Sequence, residues 1–509
     1  MDDSYLALYD VRGIQNYIYR TAKLADVIGA SVLVENIILE ALKYSIAVLD
    51  TSLDYCLDWY DSKDVFEYKD MNQYDIEVLF IGGGNAYVLF KTKDTMREIN
   101  KIMSRYIREK TYSLELVCAF VKKSEHYSKD YVSLIQQLNE VKAQITNVKP
   151  IGALPIMEVE IMTGYPIINQ RQESTETVSK RKAKPEEDET KILDNLVTQK
   201  GEDSLLAIVH IDGNNMGQRI VRLIADIEDY GTAINTMRRL SYNINKYYQY
   251  AFNQTKEYFD AKRSKEGKKT IRPIIVAGDD ITYICNDLYA LDSVEYFCQL
   301  IANHAINEQP GQAPDLEQYG FSVCAGVAFV GSHFPFSVGY NVAESLVKSA
   351  KEFAKKKENK DGERIGNYVD YQIVKNIHCS DLKTTRLREY VTPLGENLIN
   401  RPYYIKVESD TEKLKSMDQT IHSYRQLRSN VEYFANNEHI PKSFVKEIRN
   451  TYSLGSHYMR ELVAFLESRQ YQMPEQKDHM EMYDQNKNAL YYDAIELVDL
   501  FALAKKGSD

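Results

Sequence analysis

Residues 271–285 read IRPIIVAGDDITYIC. Two apolar, β-branched runs, 274–276 and 281–284, flank Gly278 and the adjacent acids Asp279 and Asp280. This pattern predicts a β-hairpin in which the glycine relaxes the turn and both carboxylates stand at its tip. Two acids held side by side repel unless a cation joins them. A hard divalent ion such as Mg2+ (or Mn2+) is the usual partner of clustered carboxylate oxygens. Asp and Gly are also common turn residues, so the hairpin alone equally describes a solvated turn.

A second stretch upstream sharpens the choice. Residues 205–210, LLAIVH, have the composition of a buried strand and run into Ile211-Asp212-Gly213-Asn214-Asn215-Met216-Gly217. An Asp at the end of a strand, followed by a Gly/Asn turn into a helix, offers a metal ligand together with backbone N–H groups that face phosphate. Strand–Asp, a long helical insert, then strand–turn–strand with paired acids is the plan of a palm-type nucleotidyltransferase. In that plan two metals, held by carboxylates of neighbouring strands, bridge the attacking hydroxyl and the triphosphate. Asp212, Asp279 and Asp280 are thus the candidate metal ligands and catalytic residues, with Gly213, Asn214, Asn215 and Gly278 beside the nucleotide.

The same order of elements occurs near the start. A strand over 5–9 leads into Asp10-Val11-Arg12-Gly13-Ile14-Gln15. Helices follow around 16–21 and 30–44, separated by Gly29-Ala30-Ser31. Residues 76–80 and 86–90 flank Gly82-Gly83-Gly84-Asn85, again strand–glycine turn–strand but without acids at the tip. A helix over 95–109 and a strand over 114–121 complete the unit. We read an internal duplication in which the first copy lacks the carboxylate pair. Its glycines allow close approach of a ligand to the backbone, so Gly82, Gly83, Gly84 and Asn85 are candidates for binding a nucleotide; a tight hairpin needs flexible residues too.

Length and composition bound the rest. At 509 residues the chain has room for several domains. Its 44% hydrophobic and 27% charged residues are those of an ordinary soluble protein. No apolar run approaches the ~20 residues that span a bilayer, and the acidic start is unlike a signal peptide. The six cysteines are scattered without a C-x-x-C pair, which fits a reducing cytoplasm and not a structural zinc site. A net charge of −11 argues against a broad basic face for nucleic acid.

Residues 166–200 are charge-rich and read as a flexible linker or exposed insertion. Their basic run Lys180-Arg181-Lys182-Ala183-Lys184 suits a solvated loop better than an RNA contact. Beyond the hairpin, 337–357 is a helix with Val342, Leu346, Ala350 and Phe353 on one apolar face and Lys348, Lys351 and Lys355 opposite. A lysine there can reach a triphosphate as a point charge. From 376 onward the chain reads as an all-α domain, with helices over 411–435, 441–451, 457–469 and 491–505.

These motifs together resemble the large polymerase-cyclase subunit of type III CRISPR effector complexes. The resemblance rests on Gly13-Ile14-Gln15 with Gly29-Ala30-Ser31, on Gly82-Gly83-Gly84-Asn85, on Asp212–Gly217 and on Gly278-Asp279-Asp280, in that order over the first ~375 residues. Asn400-Arg401-Pro402-Tyr403 is a weaker match. The resemblance implies an α+β fold: two ferredoxin-like, nucleotidyl cyclase-like palm domains (1–165 and 201–375) joined through 166–200, and a helical C-terminal domain (376–509). It implies synthesis of cyclic or linear oligoadenylates from ATP, with the first palm helping to bind a second nucleotide. A likeness of the segment around Ala343, Glu344, Ala350 and Lys351 to diguanylate cyclases singles out Lys351 as the triphosphate contact. Other CRISPR effector subunits and guide and target RNA would be the partners. Ala277 replaces the first glycine of the usual turn. No His-Asp dipeptide occurs, so the family's DNA-cleaving domain is expected to be missing, and the zinc-ribbon cysteines near Met162-Thr163-Gly164-Tyr165-Pro166 are absent. A non-catalytic scaffold subunit and a stand-alone cyclic-dinucleotide synthase are the competing readings, and homo-oligomerisation is open.

Overall fold

The apolar runs become two mostly antiparallel sheets, with one parallel pair in each (β2 with β3, and β9 with β10), that share the order of their central strands. The first contains β1 (Tyr5–Arg12), β2 (Tyr55–Cys56), β3 (Ile76–Gly82), β4 (Asn85–Phe90) and β5 (Glu115–Lys122), arranged β2-β3-β4-β1-β5. The second contains β6 (Leu205–Gly213), β7 (Ile271–Ala277), β8 (Asp280–Asn286), β9 (Val323–Gly331), β10 (Asn367–Ile373) and β11 (Tyr403–Ile405), arranged β11-β10-β9-β6-β8-β7. In each, the opening strand is flanked by two antiparallel neighbours, β1 by β4 and β5, and β6 by β8 and β9. The computed structural model describes residues 4–21, 23–49, 52–59, 74–82, 84–144, 154–185, 192–198, 204–307, 321–357, 366–375, 381–407, 421–436, 438–474, 476 and 480–504.

Alternation along the strands decides which helices each face receives. On β1, Ala7, Tyr9 and Val11 face α2 (Leu24–Leu49) and α3 (Lys93–Thr111), following the short α1 (Ile14–Tyr19). Leu6 and Leu8 face the opposite side, against α4 (Tyr127–Gln144). α3 shows why these segments are helical. Thr92 caps it by accepting from Thr95 N at 3.2 Å, and Met96, Ile99, Met103 and Ile107 form one buried stripe.

The two palms share core. Leu206 and Ile208 of β6 join the cluster around α2, while Ala207, Val209 and Ile211 face the other way. After β6 come α7 (Met216–Ala225) and α8 (Tyr230–Lys262), whose Ile224, Ile234 and Met237 complete the first palm's second face. β3 carries an irregularity between Val78 and Phe80. Buried Arg238 of α8 donates to the carbonyls of Leu79 (2.7 Å) and Val78 (3.0 Å) there, so the second palm satisfies polar groups of the first.

Three expectations are corrected. Gly29-Ala30-Ser31 does not separate two helices but lies inside α2. A Cβ on Gly29 would sit 1.8 Å from the Lys180 carbonyl oxygen, and Ser31 Oγ donates to Ile274 O of β7 at 2.8 Å. The motif therefore makes a close seam. Second, the expected flexible linker contains a packed helix, α5 (Thr175–Lys182). Its Lys180 is fully buried and donates to Glu176 Oε1 at 2.6 Å, and Arg181 pairs with Asp26 at 2.9 Å. The charges that suggested solvent are matched to partners on α2 and on α5 itself. Third, Tyr403–Ile405 of the expected helical domain is a strand, β11, on the second palm's sheet. Of the helix expected over 411–435, residues 411–420 lie outside the described residues, and the rest is α12 (Tyr424–Ala435). With α13 (Lys442–Leu454), α14 (Ser456–Ser468) and α15 (Tyr492–Ala504) it forms the C-terminal helical layer. Among the described residues no helix is long and apolar enough to cross a membrane.

Two stability predictions follow from these contacts. Gly29→Ala forces α5 off α2 and should destabilise the protein by about 1–3 kcal/mol, read as a lower denaturation midpoint and faster proteolysis between residues 165 and 185. Asp287, at the end of β8, is buried with its Oδ1 accepting from Thr198 Oγ1 at 3.1 Å. Burial pushes its carboxyl up to about 6. A folded-state pKa above the unfolded one means its favourable contribution is complete at low pH and is lost as pH rises from about 4 through 6. Asp287→Asn should remove that dependence: thermal scans at pH 4 and pH 8 should show the variant gaining on the wild type as pH rises.

Candidate active site

Strand register brings the three predicted acids to one edge. Asp212, at the end of β6, stands directly opposite Asp280, the first residue of β8. Ala277 pairs with Asp280, leaving Gly278 and Asp279 as a two-residue turn. Gly278 has φ +59°, at the first turn position, where a type II′ hairpin calls for glycine. Ala277 lies within β7, so an alanine is accommodated there. Asp279 folds back over β6: a Cβ on Gly213 would meet its Oδ2 at 2.6 Å. Gly213 is thus glycine so that a carboxylate can lie against its Cα.

The electrostatics are those of a site short of positive charge. Burial, and then the neighbouring Asp212 carboxylate, raise the Asp279 pKa. Burial and the charges of Asp212 and Asp279 push Asp280 up to about 7. The Asp280 side chain is 42% exposed, yet its Oδ1 is buried and accepts no hydrogen bond. Lys351 supplies the compensating charge. It projects from α10 (Phe336–Lys357), and its Nζ lies 2.6 Å from Asp212 Oδ2 and 2.8 Å from Gly213 O. Lys348, one turn away on that helix, instead pairs with Glu344.

The start of a helix adjoins the acids. Asn215, in left-handed conformation (φ 55°), precedes α7 and has no side-chain cap bond, so the first backbone N–H groups of the helix are not capped by it. Asn214 behaves differently from expectation. Its amide donates to Ser322 Oγ (3.3 Å) and Gly366 O (3.2 Å), and the residue is 3% exposed. It anchors the end of β6 rather than reaching toward a triphosphate.

Behind Asp280 lies a layer that motif reading did not place. His210 Nδ1 is 3.0 Å from Thr282 Oγ1 and 3.5 Å from Asp280 Oδ1. Burial lowers the imidazole pKa to about 4, so the ring is neutral at pH 7, as expected of a structural histidine. Tyr340 stands edge-on to His210, and Tyr19 of α1 stacks on Tyr340. The first palm thereby buttresses the second palm's acids through aromatic contact, which no local pattern could announce.

The first palm's turn has the same register. Asn85 pairs with Gly82, and opposite Asn85 across the sheet stands Asp10 of β1. Gly84 has φ +81°, and Asn85 Oδ1 is buried without a hydrogen-bond partner. Gly83 lies outside the described residues. Lys142 of α4 reaches Asp10 Oδ2 at 2.6 Å. Asp10 and Lys142 escaped the sequence reading, although Asp10 lies near the end of its strand, as Asp212 does.

Hard carboxylate oxygens on neighbouring strands, one of them buried and unbonded, suit Mg2+ or Mn2+. Among the described residues no three ligand side chains converge tightly enough to hold one ion without movement. Lys351 now engages Asp212, and it must yield for a metal to share that oxygen.

The fold is of the palm type, similar to nucleotidyl cyclases. Residues 205–362 match the family model of the Cas10/Cmr2 second palm domain. The whole fold is similar to three solved structures. The Csm1-Csm4 cassette in complex with pppApA has TM-score 0.56 and 12% identity over 98% of this chain and 69% of that one. The cassette in complex with cA3 has TM-score 0.54 and 12% identity, with 99% and 70% covered. Csm1 from T. onnurineus has TM-score 0.51 and 12% identity over the same shares. Among curated proteins, none matches. Residues 205–362 are therefore similar to the Cas10/Cmr2 second palm domain, and the fold as a whole is similar to that of Csm1.

Proposed function

We propose that this chain is a metal-dependent nucleotidyltransferase that joins ATP molecules into cyclic or linear oligoadenylates with release of pyrophosphate, in type III CRISPR-type defence. The observation that carries the reading is the meeting of Asp212, Asp279 and Asp280 beside Lys351 and the start of α7. A scaffold has no use for three acids whose burial and mutual repulsion raise two of their pKa values.

Asp212, Asp279 and Asp280 would hold Mg2+ or Mn2+. When bound, such ions acidify an attacking hydroxyl and neutralise a triphosphate. The chain's own part is placement. The turn between β7 and β8 sets two carboxylates at a fixed separation, and Gly213 lets one of them lie flat on β6. The backbone N–H groups opening α7 orient the donor phosphates, and the Lys351 ammonium reaches them as a point charge. Gly82, Gly84 and Asn85 at the first palm's turn would take the acceptor nucleotide, whose ribose hydroxyl attacks the α-phosphorus in line. No side-chain nucleophile is needed, because positioning and charge account for catalysis of this kind.

Partner subunits and guide and target RNA are proposed by analogy with the Csm1-Csm4 assemblies. Incubation with Mg2+ and each NTP, with products resolved by mass spectrometry, tests the reading. An adenylate oligomer from the pure chain marks a stand-alone synthase. One formed only with partner subunits and both RNAs marks an RNA-gated subunit. No product in either arm leaves the scaffold.

A further inference from the structure

Both palms place one lysine ammonium on an aspartate near the end of the opening strand, from the helix that follows β5 in the first palm and β9 in the second. In the second palm Lys351 Nζ bonds Asp212 Oδ2 (2.6 Å) and Gly213 O (2.8 Å). In the first, Lys142 Nζ lies 2.6 Å from Asp10 Oδ2. Register makes the two sites equivalent: Asp10 faces Asn85 as Asp212 faces Asp280, each at the second strand of a two-residue hairpin. What differs is the rest of the ligand set. Gly84 and Asn85 stand where the second palm has Asp279 and Asp280. One cation therefore balances the single carboxylate at the first hairpin, whereas at the second it leaves two further acids uncompensated.

We infer that the lysine ammonium is a built-in surrogate for a divalent cation, permanent in the first palm and exchangeable in the second. A carboxylate and a backbone carbonyl are both hard oxygen donors of the kind Mg2+ accepts. Lys351 holds such a pair in one ammonium's hydrogen bonds. Divalent metal arriving at Asp279 and Asp280 would compete for Asp212 and release Lys351 to the triphosphate. In the first palm the surrogate is not displaced, because Asn85 is neutral and Gly84 has no side chain. The chain would then load metal in one palm only, and Lys351 would weaken metal binding until a nucleotide offers it another anion. This rests on the metal reading given above and adds a role for Lys351 before any nucleotide is present.

The test uses the full chain without nucleotide. Mn2+ binding is followed by the EPR signal of the free ion for wild type, Lys351→Met, Lys348→Met and Lys142→Met. Lys351→Met should bind Mn2+ about tenfold tighter than wild type, since the competing cation is gone. Lys348→Met, which removes a charge on the same helix that does not touch Asp212, should change affinity far less, and Lys142→Met should create no additional site. Lysines are also labelled as 13C-dimethylamines, with signals assigned by Lys351→Arg and Lys142→Arg. Mg2+ alone should shift the Lys351 signal and leave that of Lys142 in place. Equal Mn2+ affinity in wild type and Lys351→Met, equal gains in Lys351→Met and Lys348→Met, or an unmoved Lys351 signal would overturn the inference while leaving the metal site standing. Absence of Mn2+ binding in every variant would instead remove the metal reading on which it depends.

Discussion

Asp279→Asn/Asp280→Asn is expected to lower nucleotidyl transfer by at least about 10³-fold, a loss of about 4 kcal/mol of transition-state stabilisation, while leaving the fold as stable as before or more so. The two effects have one origin. The acids meet Asp212 at the edge of β6 and β8, where burial and like charge raise the Asp279 pKa and bring Asp280 to about 7. Because these folded-state values lie above those of an unfolded chain, the ionised carboxylates oppose folding at pH 8. Asparagine keeps the turn and deletes the charge. The transition temperature at pH 8 should therefore stay level or rise, and the gain should fade toward pH 4 as the wild-type acids take up protons. Pyrophosphate release and thermal scans on the same preparations check both halves. A catalytic loss accompanied by unfolding would point to a structural role for the pair.

The second large effect is expected far from the acids. Arg401 is fully buried and donates to Tyr371 O (2.6 Å), Asp493 Oδ1 (2.9 Å) and Glu496 Oε2 (2.5 Å). Its guanidinium lies 3.9 Å from the Tyr371 ring centre. Asp493 also accepts from Asn400 N and Tyr403 OH, each at 2.7 Å, and Tyr390 OH donates to Glu496 Oε1 at 2.9 Å. One planar fork thus ties α15 to β10 and β11. Arg401→Met strands two buried carboxylates and should cost about 3–5 kcal/mol. Arg401→Lys should recover only part of this, because a single ammonium cannot reproduce the fork. Arg401→Met/Asp493→Asn/Glu496→Gln should recover more, since the stranded charge is the larger cost. Denaturant titration with a probe in α15 reads each step.

The motif Asn400-Arg401-Pro402-Tyr403 stood out in the sequence, but not the reason for it. Arg401 and Tyr403 find their acids about ninety residues away on α15, and no pattern of spacing reports such pairs. The site itself was more legible, because strand period and turn chemistry are local. Asp212 ends an apolar run, and Asp279 and Asp280 follow a glycine, whose φ is +59°. Register, which local pattern does not specify, then brings the runs together. Asn214 misled for the converse reason: a polar residue after a metal-ligand candidate suggested phosphate, whereas burial turned its amide to Ser322 and Gly366. The charge-rich stretch holding Lys180 and Arg181 looked solvated because the partners that tie it to the fold, Asp26 of α2 and the Tyr17 carbonyl, lie more than 150 residues earlier. Asp10 and Lys142 stayed hidden because the first hairpin lacks the acids that draw the eye to the second.

The most direct test of the account is a count of bound Mn2+ by EPR with a non-hydrolysable ATP analogue present. The wild type should bind two ions per chain, and Asp279→Asn/Asp280→Asn none above background, with Lys142→Met unchanged from wild type. A wild type that binds no more Mn2+ than the analogue carries in free solution, or a double variant that still binds two ions, would contradict a metal centre at Asp212, Asp279 and Asp280.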